Sequence, residues 1–246
     1  MRKILTTLLI VLGLNSFAQS KAPSHDLWNS LLKKNVSTTG KVNYKGLITD
    51  SVKLNTYLKL LSAHNPNEKT WTANEQKAFW INAYNAFTVK LIIDNYPVKS
   101  INDVVAKMKI AAKTTPWDIK FIKIGNNSYS LNTIEHEKLR KAFGDARFHF
   151  VLVCAAKSCP ILLNEAYTAD KLEKQLEKQS KLFLNDKVKN IISTNTLQLS
   201  QLFEWYASDF KAEKTTLIDF INKYVVIKIN PKATISYLKY SWDLNE

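Results

Sequence analysis

The chain has 246 residues with 5 glycines, 6 prolines and 2 cysteines, and no Ser/Gly/Pro-rich linker, repeat or low-complexity stretch divides it. Its formal net charge is +14, but the lysines are scattered over polar helix faces, as at Lys171, Lys174, Lys178 and Lys181, without the arginine-rich, aromatic-interleaved cluster of a nucleic-acid surface. Composition therefore argues against nucleic acid as a partner and leaves peripheral contact with anionic surfaces as the interaction that the charge favours.

Met1-Arg2-Lys3, the apolar stretch Ile4–Leu14 and the small-x-small site ending at Ala18 form the pattern of a cleavable secretory signal. Residues 1–18 are expected to be removed, leaving residues 19–246 as a single domain carrying +12 after loss of Arg2 and Lys3. No cysteine stands at the cleavage site to accept a lipid, and no later run reaches the ~20 apolar residues of a membrane span. The expected product is periplasmic or secreted and not transmembrane after processing.

Residues 24–34 and 50–63 read as amphipathic helices, the second placing Val52, Leu54, Leu58 and Leu61 on a helical period. Thr72-Ala73-Asn74-Glu75 is a capping box, and the helix it starts should run to about Tyr96, before Pro97. Phe79, Trp80, Ile81, Tyr84, Phe87 and Leu91 surround that helix, so it should be buried, with Asn82 and Asn85 on one stripe needing partners. Residues 118–131 suggest a hairpin turning near Asn126, followed by a helix with Asn132 as cap and Glu135 three residues on. Residues 147–153, Arg-Phe-His-Phe-Val-Leu-Val, read as an inner strand ending at Cys154, and Ala155–Pro160 as a polar loop. Thr168-Ala169-Asp170 caps a helix to about Leu184; residues 188–199 alternate as a hairpin; residues 215–224 are helical and 234–238 strand-like. Helices alternating with short strands and hairpins predict a helix-rich α+β fold with a buried central helix and a small, mostly antiparallel sheet.

Three strings stand out: Phe79-Trp80-Ile81-Asn82-Ala83-Tyr84-Asn85-Ala86, Ser130-Leu131-Asn132-Thr133-Ile134-Glu135-His136, and His149 to Pro160 with Cys154 and Cys159. With Leu202–Tyr206, Asp209-Phe210 and the terminal Tyr240-Ser241-Trp242, they make the chain resemble the domain-of-unknown-function family 547 over nearly all of its mature length. The resemblance implies kinship with envelope or secreted bacterial proteins and carries no settled reaction. Ser241 stands where the family pattern commonly has an aspartate.

Cys154, between a strand and a polar loop, is the candidate nucleophile, with Lys157 or an imidazole to stabilise its thiolate. His136, near a helix N-terminus that disfavours imidazolium, is the preferred base. Asn82 or Asn85 would orient it or form an oxyanion contact, or else bridge buried backbone. Glu135 is available for acid–base work, although capping is its simpler role. On a strand His149 would project opposite Cys154 and read as structural. The leading expectation is thus a cysteine-dependent acyl-transfer hydrolase, amidase- or peptidase-like, acting on an unknown substrate or envelope component; His before Cys in the chain is analogous to permuted papain-like enzymes. The alternatives are a non-catalytic binding or scaffold domain using Trp80, Tyr84, Trp205 or Trp242, and a redox protein in which Cys154 and Cys159 pair. Zinc held by His136, His149, Cys154 and Cys159 ranks last, and no cofactor is expected.

Overall fold

The computed structural model describes residues 21–111, 113–211 and 215–246. The predicted signal, residues 1–18, lies outside the described residues. Helices α2 (Tyr44–Thr49) and α3 (Ser51–Ala63) pack on α4 (Ala73–Asp94), and α1 (Asp26–Asn35) packs on α2 and α3. The capping box forms as the sequence predicts, Thr72 and Glu75 exchanging side-chain to backbone hydrogen bonds. Every residue from Phe79 to Val89 is buried, because α4 is apolar around its circumference.

After α5 (Asp103–Lys107), strands β1 (Ile122–Ile124) and β2 (Asn127–Tyr129) form the expected hairpin, with Gly125 at φ +56° supplying the left-handed turn residue. The next helix opens two residues earlier than expected. Ser130, not Asn132, accepts from the Thr133 N–H, so α6 (Leu131–Thr133) begins there and passes through a π-helical segment, Ile134–Arg140, into α7 (Lys141–Phe143). Glu135 is thereby relieved of the capping role.

The predicted strand over 147–153 does not form. Asp145 caps a 3₁₀ turn, Ala146–Phe150, by accepting from the Arg147 N–H at 3.0 Å. Only 151–153 run outside a helix beyond it, and the neighbour there is a side chain: Asn85 Nδ2 donates to Val151 O and its Oδ1 accepts from Val153 N–H, both at 2.9 Å. The aromatic and β-branched run signals burial, which a strand and a segment clamped against a buried helix share.

Beyond it come α8 (Leu172–Leu184), β3 (Ile191–Ile192), β4 (Thr196–Leu199), α9 (Leu202–Trp205), α10 (Leu217–Asn222) and β5 (Thr234–Tyr237). Strand β4 pairs antiparallel with β3 and parallel with β5. The fold is α+β and helix-rich, its strands divided between a hairpin and a small mixed sheet. The hydrophobic core is one cluster reaching from Trp28 to Leu244. Among the described residues no helix is long and apolar enough to cross a membrane.

Candidate active site: a disulfide in an aromatic pocket

The Cys154–Cys159 loop carries its own tether. The two sulfurs are bonded, with the Cα atoms 6.1 Å apart. Ala155, inside the loop, has φ +61°, a left-handed conformation that costs a residue with a Cβ about 1–2 kcal/mol. The C-terminal segment holds the loop in place. Asn245 N–H donates to Ala155 O at 3.1 Å, Lys157 N–H to Asp243 O at 2.8 Å and Ser241 N–H to Ser158 Oγ at 2.8 Å. Ser241 thus serves the loop through its backbone.

Tyr240, from the same segment, places its hydroxyl between the sulfurs, 3.2 Å from Cys154 Sγ and 3.3 Å from Cys159 Sγ. Burial pushes its phenol well above the ordinary range, so it keeps its proton and donates. Cys159 is buried and also accepts from the Cys154 N–H at 2.9 Å; Cys154 is partly exposed.

The disulfide borders a cavity of about 290 Å³ lined with aromatic rings, among them Trp117, Trp205, Tyr206, Tyr240 and Trp242. Trp205 and Trp242 stack at 5.9 Å, and Tyr240 packs against both. Glu135 and His149 also line it. The buried Glu135 carboxylate lies against the hydroxyls of Tyr84 and Tyr206, which burial, and then Glu135, raise well above the ordinary tyrosine range. His149 Nε2 donates to Asp209 Oδ2 at 2.8 Å, and its ring stacks on Tyr206 at 4.0 Å. Arg140 grips Asp209 through Nε and Nη2 at 2.6 and 2.8 Å. The His149 hydrogen bond first, and Arg140 second, hold the Asp209 carboxyl far below the usual range.

The candidates named from sequence are thereby separated. Cys154 carries no free thiol, because its sulfur is bonded to Cys159, so the expected nucleophile is absent in this state. His136 does not line the cavity: its Nδ1 accepts from Arg140 Nη1 at 2.6 Å, in a neighbouring polar depression with Asp145 and Lys211. Glu135 and His136 are adjacent in the chain yet face different cavities. Both asparagines are consumed by backbone. Asn82 clamps Tyr167 as Asn85 clamps 151–153, donating to Tyr167 O at 2.8 Å and accepting from its N–H at 3.0 Å. His149, expected opposite Cys154, lines the same cavity, because the 3₁₀ turn abolishes strand alternation. The four suggested zinc ligands do not assemble, and among the described residues no three His, Cys, Asp or Glu side chains gather as a metal site. Sequence reasoning assigned no role to Tyr206, Asp209 or Tyr240, although all three stand within the motifs that carry the resemblance.

Fold and site together define an α+β protein whose aromatic pocket abuts a disulfide loop strapped by the C-terminal segment. Residues 68–184, which contain α4, Glu135, His149 and both cysteines, match the model of the family described as "Protein of unknown function, DUF547". Trp205, Tyr206, Asp209, Tyr240 and Trp242 complete the pocket from outside that segment. No curated protein and no solved structure matches the chain.

Proposed function

We propose that this protein performs thiol–disulfide exchange at Cys154–Cys159. One observation carries the reading: of the two cysteines on the pocket, the buried Cys159 accepts hydrogen bonds from the Tyr240 hydroxyl and the Cys154 N–H, while Cys154 is the partly exposed one. An incoming thiolate attacks Cys154 Sγ, the Cys154–Cys159 bond breaks, and its electron pair passes to Cys159, whose thiolate those donors stabilise. The product is a mixed disulfide at Cys154. Either a second external thiolate releases it, leaving Cys154 and Cys159 reduced, or Cys159 returns and restores the starting bond. Stabilising the leaving thiolate speeds the first step, since a leaving thiol of lower pKa departs faster.

The chain's N-terminal pattern supports an exported, oxidising setting for this chemistry. N-terminal sequencing of the protein recovered from periplasm or medium should begin near Gln19.

The test of exchange compares the protein with a peptide of the same loop, residues 153–160, cyclised through its cysteines. With 2-mercaptoethanol, the protein should form the Cys154 adduct several-fold faster, and the adduct should be absent from Cys159 by peptide mass spectrometry. A protein rate at or below that of the peptide would sink the reading.

A second reading is favoured by the His149–Asp209 pair beside Cys154: in the reduced protein, Cys154 attacks an amide or ester and His149, in place of His136, moves the proton. It requires amide or ester turnover that appears only with reductant, and it fails if the reduced protein is inert toward both.

A further inference from the structure

We infer that the pocket beside the disulfide selects a partner bearing an ammonium group, so that the natural thiol or disulfide it exchanges with is an amine-bearing one. The inference rests on the exchange reading for the sulfur chemistry, but its recognition argument stands on the pocket alone.

The chain carries 35 lysines and arginines against 21 acids. Among the described residues none of those cations lines the pocket, and Glu135 is the one carboxylate that does. Glu135 is 6% exposed and forms no salt bridge among the described residues. Arg140, which feels its charge, is bound to Asp209 and stacked on Tyr206 at 4.8 Å from the ring centroid. His149 likewise has its partner in Asp209.

A carboxylate withdrawn from water without a paired cation of its own is costly, and the two phenols beside it supply hydrogen bonds but no positive charge. A cation entering the pocket restores that balance. The remaining walls suit the same guest, because Trp117, Trp205, Tyr240 and Trp242 are aromatic, and an ammonium over a tryptophan face is the strongest contact such rings make with a cation. A carboxylate-bearing partner would meet Glu135 with like charge and, among the described lining residues, no guanidinium or ammonium to pair with. The pocket thus opposes the chain's overall field, which draws anions, and the two effects separate at physiological salt, where the Debye length is about 8 Å.

The sulfur chemistry is that given above. The thiolate of the amine-bearing partner bonds to Cys154 Sγ, Cys159 leaves with the electron pair, and a second equivalent yields the partner's disulfide and the protein dithiol. Two electrons pass from two thiols to the protein disulfide, and no further oxidant is needed.

Two measurements at about 0.15 M salt, chosen so that surface charges are screened, test this. In the first, cysteamine, 2-mercaptoethanol and thioglycolate reduce the protein, each rate divided by that thiol's rate on the cyclised 153–160 peptide to remove intrinsic nucleophilicity. The normalised rates should fall in that order, cysteamine exceeding thioglycolate by about tenfold, the scale of one desolvated cation–π or charge contact. In the second, the S-methyl ethers of the same three compounds, which cannot exchange, are titrated against tryptophan fluorescence. The ammonium compound should bind tightest. E135Q should collapse both preferences to within about twofold, the level left by the rings alone; W205A, at a 45%-exposed ring, should weaken ammonium binding without unfolding. Equal rates and equal affinities, or a lead for thioglycolate, overturn the amine preference while leaving exchange intact. Failure of every thiol to outrun its peptide reaction, with the ether order preserved, instead sinks exchange and retains the ammonium site.

Discussion

Tyr240 donates its hydroxyl to Cys159 Sγ at 3.3 Å across 81 residues of chain. This contact joins the C-terminal segment to the loop bearing the disulfide, and it supplies a donor to the sulfur that leaves when Cys154 is attacked. Tyr240→Phe keeps the ring and its packing against Trp205 and Trp242 but removes that donor. One lost hydrogen bond to a thiolate, about 1.5 kcal/mol, corresponds to roughly a tenfold slower reduction by 2-mercaptoethanol. Stopped-flow kinetics should record that slowing with an unchanged circular dichroism spectrum; an undiminished rate would remove Tyr240 from the reaction.

Ala155 occupies left-handed backbone inside the disulfide loop. Glycine adopts φ +61° without the Cβ penalty, so Ala155→Gly should raise stability by about 1 kcal/mol despite the greater freedom of its unfolded chain. The urea midpoint of the oxidised protein measures this. A lower midpoint would show that the alanine methyl contributes more through packing than its conformation costs.

Asn85 and Asn82 each close two hydrogen bonds to buried backbone. Asn85→Ala leaves Val151 O and Val153 N–H without that partner and should cost about 2–4 kcal/mol, from two unmet groups at roughly 1–2 kcal/mol each. Equilibrium urea unfolding measures the loss. The variant's normalised thiol selectivity should be retained in the fraction that remains folded, because Asn85 orders the segment leading to Cys154 and does not line the pocket.

Stability should fall with acid in two stages. Burial lowers the pKa of His25, paired with Tyr57 at 2.7 Å, from 6.5 to about 4. The unfolded chain therefore binds the extra proton first, and stability declines as pH drops from about 6.5 to about 4, by at most ~3 kcal/mol. Asp209 acts lower. Its folded pKa is depressed, so its contribution is present above the ordinary carboxylate range and is lost as pH falls below about 4. Urea midpoints against pH should show a flattened upper stage in His25→Gln and a flattened lower stage in Asp209→Asn.

The helices α1, α3 and α4 were legible because their evidence is local: an amphipathic period, and Thr72 and Glu75 closing a capping box around residues one turn apart. The hairpin at Gly125-Asn126 was legible for the same reason. Residues 147–153 were misread because burial of Phe148, Phe150 and Val151 leaves the same apolar record in a strand and in a clamped loop. That error moved His149 to the wrong side of Cys154. The capping assignment to Asn132 in turn disguised Glu135 as a helix-end residue, when Ser130 held that position.

Sequence by itself determined the α+β character, the buried central helix, the motifs from which the pocket is assembled and the two cysteines available to pair. These follow from periodicity, turn chemistry and composition, which act over a few residues. Only the tertiary structure decided that Cys154 is bonded to Cys159, that Asn82 and Asn85 serve the backbone, and that Glu135, His149 and Tyr240 meet at one cavity while His136 stands outside it. Tyr240 reaches its sulfurs from more than 80 residues away. No local pattern encodes such a meeting, because it depends on how α4, the π-helical segment and the C-terminal strap pack together.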